Sequence, residues 1–167
     1  MWAGSPEVAE AALRESCQAL ESIGDRTYLT TLAAFLAEAL YMQGKLDEAE
    51  QWTGVSETTA GPDDLEALAD WRCVRAKILA RHGRLAEAHA MGLEALDIVE
   101  RTGESDHKGD AYLDFAEVCR PSGKGAEERH ALGQAISWYE SKGNVVMAGR
   151  ARSLLHELAS RSPSVRG

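Results

Sequence analysis

The chain has 167 residues, 44% of them hydrophobic and 27% charged, with only four prolines and a formal net charge of −9. Alanine, leucine and glutamate are abundant, and isoleucine, phenylalanine and tyrosine are scarce; the abundant types lose little rotamer freedom in a helix, whereas strands favour β-branched and aromatic residues. Residues 1–70 carry a net charge of −11, residues 71–141 carry −2 and residues 142–167 carry +4, so most of the chain lacks the basic face that displaces counterions from nucleic-acid phosphates.

Glycine and proline divide the chain into eight expected helices. The first, near 6–23, opens on Ser5-Pro6-Glu7, a hydroxyl N-cap followed by proline at the first helical position. The second spans about 26–43 and the third about 46–59, closed by Gly61-Pro62. The fourth, near 63–82, starts at Asp63, which forms a capping-box-like pair with Glu66 three residues on. The fifth spans about 85–102. The sixth, near 107–121, carries Pro121 in its last turn, and the seventh and eighth occupy about 125–142 and 145–161. Gly24, Gly44, Gly83, Gly103 and Gly143 each follow a periodic run, where a left-handed C-terminal cap is expected. Residues 162–167 read as a disordered tail.

Three stretches repeat: LAEALYMQGKLDEAE (36–50), VRAKILARHGRLAEAH (74–89) and DFAEVCRPSGKGAEER (114–129). In each, an alanine (Ala37, Ala76, Ala116) precedes a glycine (Gly44, Gly83, Gly123) by seven residues, and the glycines recur at spacings of 39 and 40. Ala95-Leu96 is echoed by Ala135-Ile136. The small residue lets two antiparallel helices approach, the glycine permits the turn, and a second small residue (Ala49, Ala88) packs back against the first helix. In the third repeat Glu128 stands where that alanine belongs.

The order of small residue, large residue, glycine and alanine resembles the tetratricopeptide repeat, with a period about five residues longer than the usual ~34. The resemblance implies an all-α, tetratricopeptide-like solenoid, right-handed, in a single domain over 1–161. Its hairpins fall near 26–60, 63–103 and 107–143, with flanking helices 6–23 and 145–161. AGSPEVAEAALRE (3–15), TLAAFLAEALYMQGKLDEAE (31–50), WRCVRAKILARHGRLAEA (71–88), GDAYLDFAEV (109–118) and YESKGNVVMAGRARSLLHEL (139–158) also look like the C-terminal helical arm of bacterial signalling proteins that join a nucleotide cyclase to an AAA- or STAND-type ATPase. Such an arm implies a fragment of a larger protein. Helix 6–23 reads as the second member of a pair, because Ala19-Leu20 and Gly24 match Ala95-Leu96 and Gly103, and its partner is expected upstream.

No catalytic, cofactor or metal site emerges. Cys17, Cys73 and Cys119 are odd in number and far apart, with no CxxC, so they read as reduced, half-buried core thiols. Ser122-Gly123-Lys124-Gly125 lacks the preceding strand and the following hydroxyl of a phosphate loop and reads as a helix–helix turn. His82 and His89 are separated by the Gly83 turn, and Asp106, His107 and Asp110 read as helix capping. There is no GxSxG nucleophile elbow, and the paired carboxylates (Asp47-Glu48, Asp63-Asp64, Glu127-Glu128) all sit at helix starts. Trp52, Trp71, Trp138 and Tyr139 read as packing between helices. No signal peptide or membrane span is visible, so a cytoplasmic chain is expected.

In an arm of this type the first helix of each pair lines the concave surface. That register puts Thr31, Glu38, Tyr41, Met42, Asp70, Lys77, Arg81, Asp110, Glu117 and Arg120 toward a partner protein or a neighbouring domain, with Tyr41 and Met42 as an exposed pair suited to an interface. The expected function is a non-catalytic interaction scaffold, the regulatory arm of a signalling ATPase or cyclase. Two alternatives are the repeat arm of an ATP-dependent transcription activator, and a helical ligand-binding module or enzyme that uses the groove. Direct nucleic-acid and membrane contacts are not expected.

Overall fold

The computed structural model describes residues 5–103 and 107–161. Asp106, proposed above as part of a capping cluster, and the expected tail 162–167 lie outside them. The described residues form eight helices and no strand: α1 (Pro6–Ile23), α2 (Arg26–Met42), α3 (Leu46–Thr59), α4 (Leu65–Arg81), α5 (Leu85–Glu100), α6 (His107–Cys119), α7 (Gly125–Ser141) and α8 (Val145–Arg161). Helices α2/α3, α4/α5 and α6/α7 are antiparallel pairs, α1 packs on α2, and α8 packs on α7. Helices α2, α4 and α6 also lie side by side, as inner helices of a helical-repeat solenoid.

One turn recurs. After α2, α4 and α6, glycines 44, 83 and 123 take φ of 75°, 76° and 67°. The next amide then reaches back over the turn to a carbonyl five residues earlier: Lys45 to Leu40 (3.0 Å), Arg84 to Leu79 (3.0 Å) and Lys124 to Cys119 (3.3 Å). This six-residue closure satisfies carbonyls that the helix end leaves bare, and the left-handed φ is open to glycine at no steric cost. The degraded third repeat therefore keeps the turn of the other two. Pro121 lies beyond the helix it was expected to occupy, because α6 stops at Cys119 and a residue preceding proline is pushed out of the helical region.

Other sequence expectations shift. Gly103 is not left-handed; Gly123 is. Helix α5 instead ends on Arg101 in a right-handed conformation, its amide bonded to Ile98. The cap of α4 is Asp64, one residue past the expected Asp63, accepting from the Ala67 amide at 3.2 Å. Ser5 holds the N-cap position of α1, but its hydroxyl makes no capping bond, and Pro6 follows it as expected.

The small-residue register accounts for the close pairing. Ala37, Ala76 and Ala116 are completely buried, as are Ala49 and Ala88 on the facing helices. Glu128, in the third repeat, is also buried, at 2% exposure. Its carboxylate accepts from Arg120 at 3.1 Å and from Arg161 of α8 at 2.9 Å. Glu10 of α1 occupies the same register position, 39 residues before Ala49, and meets Arg14 (2.9 Å), Gln43 (2.7 Å) and Lys45 (2.6 Å). The hydrogen bond from Lys45 is the strongest influence holding this carboxyl down at about 2, against the opposing effect of burial. The inner two positions thus pack alanine and the outer two pack an ion pair.

All three cysteines are free and buried rather than half-buried, because each faces the packed seam between helices. Trp71 and Tyr139 are buried and Trp52 packs against the core that α1, α2 and α3 share, as expected of packing aromatics. No helix among the described residues is long and apolar enough to cross a membrane.

Candidate binding groove

The inner helices enclose a groove of about 1090 Å³, with its walls on α2, α4 and α6 and its far end on α8. The period of 39–40 residues stacks equivalent side chains across it. Glu38, Lys77 and Glu117 make one row, Asp70 and Asp110 a second, and Met42 and Arg81 a third. Of the ten positions expected to face a partner, all but Thr31 line this groove. Thr31 shares a row with Asp70 and Asp110 but lies outside; α2 has only α4 beside it among the inner helices, so no second wall rises around its N-terminal turns.

Lys77 is the pivot. Its side chain is 1% exposed, and its ammonium donates to Glu38 Oε2 on α2 at 2.7 Å and to Asp114 Oδ1 on α6 at 2.8 Å. Burial alone would lower the pKa of this lysine, but the carboxylates of Asp114, Glu38 and Glu117 outweigh it and hold the ammonium charged. Asp114 is pushed upward by burial, against the pull of Lys77. The Lys77 nitrogen also lies 5.1 Å from the centre of the Tyr41 ring.

Tyr41 departs from expectation. Its ring is buried, at 8% exposure, and its hydroxyl donates to Glu117 Oε1 at 2.5 Å, so it spans from α2 to α6 past the intervening helix. The ring lies between a lysine and an arginine (Arg81 lies 5.8 Å from its centre), and both cations are attracted to its face. Only Met42 of the expected pair is exposed, at 45%.

His107 was expected to cap α6. Its Nδ1 instead meets Asp70 Oδ1 on α4 at 2.9 Å. Donating this hydrogen bond to Asp70 raises the histidine to about 9, against the opposing effect of burial. Asp70 itself is pushed up by burial, and its Oδ2 has no hydrogen-bond partner among the described residues. At the same end of the groove the Tyr139 hydroxyl donates to Asp110. The Tyr139 ring lies so close over α6 that a Cβ on Gly109 would come within 2.7 Å of it; glycine is what admits the ring.

Because the folded pKa of His107 exceeds the ordinary value of about 6.5, its contribution to stability is complete below about pH 6.5. It is lost as pH rises through about 9. The loss is on the order of 2 kcal/mol, reduced by solvent at a side chain that is 32% exposed. His107→Gln flattens the decline over that range. Urea unfolding at about pH 6 and about pH 9 measures both slopes, and equal slopes would remove the assignment.

Sequence reasoning missed Asp114, His107 and the α8 residues Met147, Arg150 and Leu154, all of which line the groove. Asp114 was legible, since it stands three residues before Glu117 and so on the same helical face. The α8 residues carried a signal too, since Met147, Arg150 and Leu154 stand one 40-residue period after His107, Asp110 and Asp114, but the expected register stopped at α6.

Comparison with family models finds no match, and comparison with curated proteins finds none either.

Proposed function

We propose that this chain is a non-catalytic scaffold whose groove receives a segment of another protein or a neighbouring domain. The observation that carries this reading is the condition of the groove charges. Lys77, Glu38, Asp114, Asp70, His107 and Glu117 are already hydrogen-bonded to one another or to Tyr41 across helices. Such groups set the shape of the groove, and the thiol on its wall, Cys73, is held neutral chiefly by burial and is not activated as a nucleophile would be. The rim offers Met42 and Arg81, side chains of the kinds enriched at protein interfaces.

The likeness to the helical arms of cyclase–ATPase signalling proteins supports reading the scaffold as a regulatory arm of a larger bacterial, cytoplasmic polypeptide. The arm of an ATP-dependent transcription activator is the alternative within the same class. The neighbouring reading frame separates them: a cyclase and an ATPase favour the first, an ATPase and a helix-turn-helix the second.

A ligand-binding module is a second reading, favoured by the groove volume of about 1090 Å³, within reach of the range of small-molecule sites, and by the unpartnered Asp70 oxygen. It predicts saturable small-molecule binding that Asp70→Asn abolishes.

The scaffold reading is tested at the rim, because Tyr41 is itself a buried strut. Met42→Asp and Arg81→Glu, both at exposed positions, are expected to weaken capture of the protein partner by at least about tenfold, the loss of one interface anchor of ~1.4 kcal/mol. The melting temperature should stay unchanged. Undiminished capture by both variants would remove the groove from the interface.

A further inference from the structure

Outside the groove, three metal-binding side chains converge from three helices. His89 Nε2 on α5, Cys119 Sγ on α6 and a carboxylate oxygen of Glu127 on α7 all lie within 4.8 Å of one another. Among the described residues no other group of histidine, cysteine and acidic side chains meets in this way. We infer that these residues form a site for a zinc-class divalent ion, which would tie the second hairpin to the third.

The donor set fits that ion. A thiolate, an imidazole and a carboxylate in tetrahedral array, with bonds of about 2.0–2.3 Å, stand roughly 3.5 Å apart. Closing from 4.8 Å needs side-chain movements of about 1 Å, within reach of the Cys119 and Glu127 rotamers. Three protein ligands leave a fourth position, which water fills at the Glu127 side, where that side chain is 41% exposed. His89 and Glu127 now share a hydrogen bond of 2.5 Å. On binding, the ion takes Nε2 and the imidazole proton resides on Nδ1. The Cys119 thiol is raised to about 12 by burial, so the free protein holds it neutral; the ion displaces its proton to solvent as the sulfur–metal bond forms.

The surroundings already hold two of the ligands in place. Lys124 grips the other carboxylate oxygen of Glu127 at 2.9 Å, and the His89 ring is tilted against Phe115 with centroids 5.4 Å apart. Outer contacts of this sort orient metal ligands.

The repeat supplies its own control. One period earlier the matching positions are Glu50, Leu79 and Glu87. Glu87 is held by Arg84 at 2.6 Å, as Glu127 is by Lys124. The acid and its cation are thus kept at both seams, while the leucine and the glutamate of the earlier seam become cysteine and histidine in the later one. Both exchanges fall at one point, and together they convert a packing seam into a mixed sulfur, nitrogen and oxygen donor set. Sequence spacing could not reveal it, because the three residues lie on different helices.

The test uses the full chain, metal-free, titrated with Co²⁺ and separately with Zn²⁺. The expected result is one Co²⁺ per chain with a thiolate-to-cobalt charge-transfer band, and a melting temperature raised by Zn²⁺. Cys119→Ser abolishes the band, and His89→Gln, which retains a polar group beside Glu127, weakens Co²⁺ binding by at least about tenfold. Cys17→Ser and Cys73→Ser change neither. A cobalt spectrum of the unaltered chain without the sulfur band would overturn the site, as would binding indifferent to His89→Gln. These two readings decide the matter even if Cys119→Ser does not fold.

Discussion

Replacing Lys77 with methionine is expected to lower the unfolding free energy by about 3–5 kcal/mol, the cost of stripping one partner from a buried ion set. The lysine is 1% exposed and stands between carboxylates on two neighbouring helices. Without it, Glu38 and Asp114 face each other, with Glu117 nearby, and no cation to neutralise them. Since a domain of this size holds about 5–15 kcal/mol in all, the variant melts far earlier in urea. The triple variant Lys77→Met, Glu38→Met, Asp114→Leu is expected to regain most of the loss, because apolar groups of similar shape can replace a buried ionic set at little cost. Helical circular dichroism across a urea series reads both. A single variant as stable as the parent would mean that the three charges do not interact.

Ala76→Glu, one residue away, fails by a different route and by a comparable amount. Ala76 is fully buried, on the face of α4 that packs with Ala88 of α5 and Val118 of α6. A glutamate there has no cation and no space, so overpacking of about 1–3 kcal/mol adds to the cost of an unpaired buried carboxylate, several kcal/mol more. The middle hairpin is expected to unfold, with loss of helicity and of a cooperative thermal transition. Retention of both would sink the small-residue register. The two neighbours therefore separate the two kinds of contact in this solenoid: steric nesting of small residues, and charge pairing between hairpins.

The first kind was legible in the sequence and the second largely was not. Ala37, Ala76 and Ala116 announce themselves because helix-pair nesting obeys a local rule, a small residue seven positions before a turn glycine. The turn is equally local, and Gly44 and Gly83 behave as read. Gly103 does not, since α5 already ends at Arg101, whose amide closes on the Ile98 carbonyl. Glu128 looked like a flaw because its partners, Arg120 and Arg161, come from the turn after α6 and from α8. The exposure of Tyr41 was misjudged for the same reason: Glu117, which takes its proton donor, lies 76 residues further on. His107 was assigned to its own helix end when the decisive carboxylate, Asp70, belongs to another. Groove chemistry of this kind is a property of neighbouring inner helices, and a one-dimensional pattern reports only what each helix contributes.

The reach of Tyr41 to Glu117 has a mechanical consequence. Stacked hairpins ordinarily touch only their nearest neighbours, and such an array can flex like a coil spring, each joint yielding by itself. Here the first and third hairpins are strapped together across the second, which is itself pinned by Lys77 to both sides. Separating the inner helices must break the strap and both pins. The three inner helices are thereby coupled as one unit, and α4 cannot shift against either neighbour without disturbing these bonds.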